Sequence, residues 1–157
     1  DKILQKDDLE QRLSLWRKAN QKIVFTNGCF DLLHLGHVDY LAKAKDLGDR
    51  LIVGINSDSS VRRLKGSHRP LQDENSRLHI IAALASVDAV ILFDEDTPYE
   101  LIKKVQPDIL VKGADYKPQD IVGYDIVSLK GGEVKTIEFV EGYSTTAIEN
   151  RILASRK

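Results

Sequence analysis

A single cysteine, Cys29, stands in the 157-residue chain. One thiol makes no internal disulfide, and it excludes a cysteine-rich zinc site. No apolar run approaches the length of a membrane span, and no leader pattern opens the sequence. A membrane is therefore not an expected partner, and the cytoplasm is the expected compartment. Charge of neither sign is in excess. The net charge is −1, whereas a protein built to follow a nucleic-acid backbone carries a clear basic surplus. Nucleic acid is not expected as a partner, although a local basic cluster is enough to hold one nucleotide. Neither a Walker A sequence nor a Gly-x-Gly-x-x-Gly fingerprint occurs, so kinases and dehydrogenases lose their usual support. Internal repeats, low-complexity tracts and composition shifts are also missing. What remains is the composition of a soluble globular protein, 42% hydrophobic and 30% charged. Its length suits one domain over 1–157, with residues 1–20 as a helical N-terminal extension.

Apolar runs alternate with amphipathic ones. A helix is predicted over 7–19, with Asp7 and Glu10 at capping-box spacing and Leu9, Leu13 and Trp16 on one face. Strands are predicted over 22–26, 51–55, 89–93, 109–111 and 134–139. Between them, helices are predicted over 36–47, ended by Gly48, and over 73–86, with Leu78, Ile81, Ala82 and Ala85 as its stripe. Another starts at Thr97-Pro98-Tyr99-Glu100 and ends near Val105, and the last runs over 144–153. Residues 62–70 read as a polar loop. His68 in that loop reads as exposed, and His79 beside the helical stripe reads as structural. Continuously apolar strands separated by helices imply an α/β fold, a doubly wound Rossmann-like parallel sheet covered on both faces. Ligands of such sheets sit beyond the carboxyl ends of the strands, where the polar segments of this chain cluster.

The densest of those segments is Gly28-Cys-Phe-Asp-Leu-Leu-His-Leu-Gly-His37. It joins a strand to a helix, so free N–H groups and the helix dipole already favour a phosphate there. His34 and His37 have a spacing known for metal ligands, but a catalytic zinc needs a third protein ligand and none stands nearby. The remaining choice is between plain turn residues and phosphate ligands. Gly36 permits close backbone approach, Asp31 lies three residues before His34, and the pair sits at a strand end; these favour ligands. Cys29 has no base in clear sequence relation to it and is not expected to act as a nucleophile.

This stretch resembles the G-x-F-D-x-x-H-x-G-H signature of the cytidylyltransferase-like nucleotidyltransferases. Glu141-Gly-Tyr-Ser-Thr-Thr146 resembles their second motif. Arg63-Leu-Lys-Gly66, Arg69-Pro70, Leu110-Val-Lys-Gly-Ala-Asp-Tyr116 and Gly131-Gly-Glu133 are similar to segments of the bacterial heptose 1-phosphate adenylyltransferases of ADP-heptose synthesis. The likeness runs over about 22–152. It implies transfer of AMP from ATP to D-glycero-β-D-manno-heptose 1-phosphate, with pyrophosphate leaving. Such a reaction asks the protein for positioning and charge stabilisation.

The resemblance implies roles residue by residue. His34, His37 and Lys65 form the catalytic set, with Lys65 reaching the β- and γ-phosphates from a mobile loop beside Arg62 or Arg63. Phe30, Gly36, Arg77, Lys112, Gly113, Ser144, Thr145 and Thr146 bind the nucleotide. Read from the residues alone, Arg77 is a surface cation, and Ser144–Thr146 a helix cap with Thr146 and Glu149 at capping-box spacing. Asn27, Asp31 and Asp115 bind the sugar phosphate, with loop orientation an equal reading for Asn27 and Asp31. Mg2+ is the implied cofactor, held mainly by the triphosphate, so no protein ligand is expected for it. The implied partners are ATP and a sugar 1-phosphate supplied by a separate sugar kinase. A homodimer is common in the superfamily, and Trp16 offers either a surface for one or a core contact. Two other functions stay open: a cytidylyltransferase acting on glycerol 3-phosphate or a related alcohol phosphate, and a non-catalytic nucleotide-binding module.

Overall fold

The apolar runs become the strands of one parallel sheet. In the computed structural model, which describes residues 1–156, these are β1 (Ile3–Leu4), β2 (Ile23–Gly28), β3 (Arg50–Asn56), β4 (Ala89–Phe93), β5 (Ile109–Gly113) and β6 (Glu133–Ile137). They lie in the order β1-β4-β3-β2-β5-β6, every neighbouring pair parallel. From β2 the chain winds outward through β3 and β4, then crosses back to β5 and β6. The order therefore reverses between β2 and β5, and the crevice beyond that point is where such a sheet receives a ligand.

The helices are α1 (Lys6–Lys18), α2 (Leu35–Lys45), α3 (Asp58–Lys65), α4 (Glu74–Ala82), α5 (Tyr99–Val105), α6 (Tyr124–Lys130) and α7 (Thr145–Ala154). Strand side chains alternate between the two faces. Ile23, Phe25 and Ile52 pack with Leu9, Leu13, Ile102 and Val127 from α1, α5 and α6. Val24, Leu51 and Val53 pack with Leu41, Ala44 and Ile81 from α2 and α4.

Several elements differ from their sequence expectation. Residues 1–20 contribute more than a helix, because β1 pairs with β4 and α1 packs into the core. Trp16 belongs to that core, with the Arg12 and Arg50 guanidinium groups 5.7 and 5.4 Å from its ring, so it offers no dimer surface. Asp8, not Glu10, accepts the N–H that precedes α1, that of Gln5. The start of the supposed 62–70 loop is helical. Ser57 caps α3 by accepting the Ser60 N–H at 3.1 Å, Val61 anchors it, and Gly66, at φ 100°, ends it. Only Ser60 and Val61 of α3 are buried, and so few apolar residues let the segment pass for a polar loop. α4 stops at Ala82, and its buried residues are Arg77 and Ile81. Ala85, assigned to its stripe, is exposed, as are His68 and His79. α5 is preceded by Pro98 in the cap position rather than Thr97. The seven-residue α6 has no counterpart in the sequence reading.

Candidate functional site

A cleft of about 600 Å³ opens beyond the carboxyl ends of β2 and β5. Its floor is the turn after β2. Asn27 and Gly28 still belong to the strand; Phe30 then takes a left-handed backbone, φ 49°, an uncommon conformation for a side-chain-bearing residue. A Cβ on Gly28 would lie 2.8 Å from the Phe30 ring, so the glycine lets the turn close. Phe30 in turn meets His37 edge-on, with ring centroids 5.2 Å apart.

His34 caps α2 and His37 sits in its first turn, their rings stacked at 3.8 Å. The His34 N–H donates to Nδ1 of His37 at 3.4 Å. Nδ1 is thereby the acceptor, which assigns the proton of the neutral ring to Nε2 and leaves Nε2 as a donor. Burial, with smaller pushes from His34 and Lys65, holds the His37 pKa down to about 4. Burial lowers that of His34 as well. Both rings are thus neutral near pH 7 and present N–H dipoles rather than full charges. His37 lines the cleft; His34 does not, and its Nδ1 is buried without a partner. A Cβ on Gly36 would come within 2.8 and 2.9 Å of the His34 ring, so Gly36 is what permits this packing.

Lys65 reaches the cleft from the last residue of α3, not from a mobile loop. Lys112 enters the same cleft from β5; burial lowers its pKa, against the pull of Cys29 and Asp115. Burial likewise raises the Cys29 thiol, which fits a protonated, unreactive group. Gly113 lies under Phe139, whose ring a Cβ would meet at 2.2 Å. Phe139 also stacks on Tyr40, and the Tyr40 hydroxyl is within 2.8 Å of Thr26 Oγ1. Thr145 and Thr146 line the cleft from the first turn of α7. Ser144 is the helix cap, its Oγ accepting the Ala147 N–H at 3.0 Å. The Thr146–Glu149 capping box does not form, and Glu149 pairs with Arg69 instead. Asn27, Asp31 and Asp115 line the same cleft.

Two expected ligands are bound up within the protein. Arg77 is 0% exposed, neither a surface cation nor a lining residue. It donates to the carbonyls of Gln72, Cys29 and Asn56 at 2.7 to 2.9 Å and pairs with Asp58 at 2.8 Å. Those bonds tie the β2–α2 turn, the end of β3 and the segment before α4 to one guanidinium. Asp31, 5% exposed, accepts from the Leu71 and Gln72 N–H groups and from Arg69. Burial alone would raise its pKa; these bonds outweigh it and hold the carboxyl below its ordinary value. Its carboxylate orients the loop through these donors while lining the cleft. Arg63 turns away from the cleft toward Asp96 and the Asp94 carbonyl. Sequence reasoning missed Arg69, Tyr116 and Phe139, which line the cleft. Arg69-Pro70 and Tyr116 stood within the recognised segments, but nothing in their spacing showed that they faced a ligand.

Among the described residues, no group of three or more His, Cys, Asp or Glu is placed to hold a metal ion. No helix among them is long and apolar enough to cross a membrane.

A sequence model of the cytidylyltransferase-like family matches residues 25–151. The chain belongs to that family. It is 56% identical to the bifunctional protein HldE of Syntrophotalea carbinolica, over 97% of this chain and 31% of that one. Against the protein of the same name from a Nitratiruptor species, identity is 62%, over 86% and 28%. The chain thus spans about a third of the length of the curated relatives it matches. Among solved structures, the lipopolysaccharide core biosynthesis protein of Thermoplasma volcanium superposes with a TM-score of 0.63 at 36% identity, over 79% of this chain and 99% of that one. The pantoate-beta-alanine ligase of Francisella tularensis shares the fold, with a TM-score of 0.61 at 18% identity, over 97% of this chain and 77% of that one.

Proposed function

We propose that this chain is a heptose 1-phosphate adenylyltransferase, making ADP-heptose and pyrophosphate from ATP and D-glycero-β-D-manno-heptose 1-phosphate. The observation that carries the chemistry is the convergence of a neutral His37 donor, two lysines and the first turn of α7 on one cleft. The identity with the HldE proteins over nearly the whole chain supports the choice of sugar and nucleotide.

An oxygen of the sugar phosphate attacks the α-phosphorus of ATP. A new O–P bond forms, the bond to the β-phosphate oxygen breaks, and pyrophosphate leaves. The attacking phosphate is already ionised, so no general base is needed. His37 Nε2 donates a hydrogen bond to phosphate oxygens as charge moves onto the leaving group. One such preorganised donor is worth roughly 3 kcal/mol. Lys65 from α3 and Lys112 from β5 face the phosphates, and Thr145 and Thr146 bring hydroxyls and a helix N-terminus to them. Asn27 and Asp115 face the sugar phosphate. Mg2+ suits a cleft with few free carboxylates, because it binds largely through substrate phosphates and keeps its waters; bound there, it would neutralise triphosphate charge, with Asp115 the one lining carboxylate free to approach it. The heptose 1-phosphate must come from sugar kinase chemistry, on another chain or elsewhere in a longer one. An ATP-dependent step of this kind fits the cytoplasm.

The test is pyrophosphate release with Mg2+ across a panel of nucleoside triphosphates and sugar or alcohol phosphates. ATP with the heptose phosphate should turn over best. Turnover with CTP and glycerol 3-phosphate alone would replace the substrate assignment. Nucleotide binding without turnover on any acceptor would reduce the chain to a binding module.

A further inference from the structure

Arg69 has no role in the reading so far, yet its guanidinium lines the cleft with Lys65, His37 and Thr146. It is held between two carboxylates. Asp31 lies 3.3 Å from Nη1, and Glu149 on α7 contacts Nη2. The two are not equivalent. Asp31 is 5% exposed and keeps the N–H groups of Leu71 and Gln72 whatever Arg69 does. Glu149 is 31% exposed and stands on a helix with no buried residue. Releasing Glu149 leaves Arg69 still paired with Asp31, so no fully buried charge is left without a partner. A guanidinium fork, by contrast, matches a phosphate with two parallel charge-assisted bonds.

We propose that Arg69 is a phosphate-binding residue of this cleft and that Glu149 is its placeholder in the free protein. A bound triphosphate takes the place of the Glu149 carboxylate on the guanidinium, while Asp31 keeps Arg69 in position. The proposal rests on the nucleotidyltransferase reading, in that it takes a polyphosphate as the ligand.

Calorimetric titration of the whole chain with Mg2+–ATP, and separately with inorganic pyrophosphate, tests it. Glu149→Gln removes the competing charge and should tighten both ligands by about two- to fivefold, the strength of a solvent-reaching ion pair. Arg69→Ala should weaken both by about tenfold or more. In the Arg69→Ala background the gain from Glu149→Gln should vanish. If Arg69→Ala does not fold, Arg69→Lys keeps the charge without the fork and should still weaken both ligands severalfold. Glu149→Gln binding no tighter than the parent would overturn the proposal and show the pair to be a brace for α7. A gain that persists without Arg69 would overturn it too, as simple repulsion by Glu149. Those outcomes leave the nucleotidyltransferase reading intact; a parent chain that binds neither ligand would refute both.

Discussion

Two helices begin at the cleft, and they are built into the molecule in opposite ways. α2 starts with His34 and His37 and buries Gly36, Tyr40, Leu41 and Ala44 against the sheet. α7 starts with Thr145 and Thr146 and buries nothing; Ile152 and Leu153 are 55% and 62% exposed. Its Glu149 reaches Arg69, and of its apolar residues Ala147 and Ile148 are only partly buried. One wall of the cleft is therefore fixed by the core, and the other is held at the surface. Helix starts of both kinds offer N–H groups to an anion. Only the first is fixed by buried packing, and segments with few buried contacts are the ones that open locally.

The contrast can be broken by mutation, most strongly in stability. Leu41→Ala removes a fully buried side chain and should cost about 2–5 kcal/mol in chemical denaturation. Ile152→Ala on α7 should stay within about 0.5 kcal/mol. Equal losses at the two positions would mean that α7 is packed after all. His37→Ala comes next. Turnover should fall by about a hundredfold or more with the fold intact. Near-normal turnover would take His37 out of the chemistry and leave α2 as scaffold alone.

A smaller effect is expected with pH, and it belongs to α2. Burial first, then His34 and Lys65, hold folded His37 at about 4; an unfolded histidine titrates near pH 6.5. Between those values the unfolded chain binds a proton that the folded one refuses. Stability is therefore full above about pH 6.5 and is lost as pH falls toward 4. Melting temperature should drop over that interval less steeply for His37→Gln than for the parent. Parallel profiles would show that His37 is not held neutral by the fold.

Much of the sheet was legible because β2, β3, β4 and β5 are continuous apolar runs, and α2 because its buried positions recur at helical spacing. β1 is two residues long and acquires its meaning only by pairing with β4, which no local pattern reveals. α3 was hidden by its polar surface. Of the site, the residues legible from spacing were those carried by helix starts and strand ends. Arg77 and Asp31 illustrate the limit. Each is charged, and the resemblance implied a ligand role for each, but most of their partners are backbone groups brought together by folding, such as the carbonyls of Cys29 and Asn56. A charged residue that organises a loop and one that binds a ligand look alike until those partners are in view. Arg69 shows the converse: its two carboxylates lie 38 and 80 residues away in sequence.

Hydrogen exchange, read by mass spectrometry with and without Mg2+–ATP, compares the two walls of the cleft directly. α2 should be protected in both conditions. α7 should exchange freely in the protein alone and become protected when nucleotide bridges Thr145 and Thr146 to the His37 side. Protection of α7 equal to that of α2 without nucleotide, or no change on adding it, would contradict a site with one wall built into the core and one closed by its ligand.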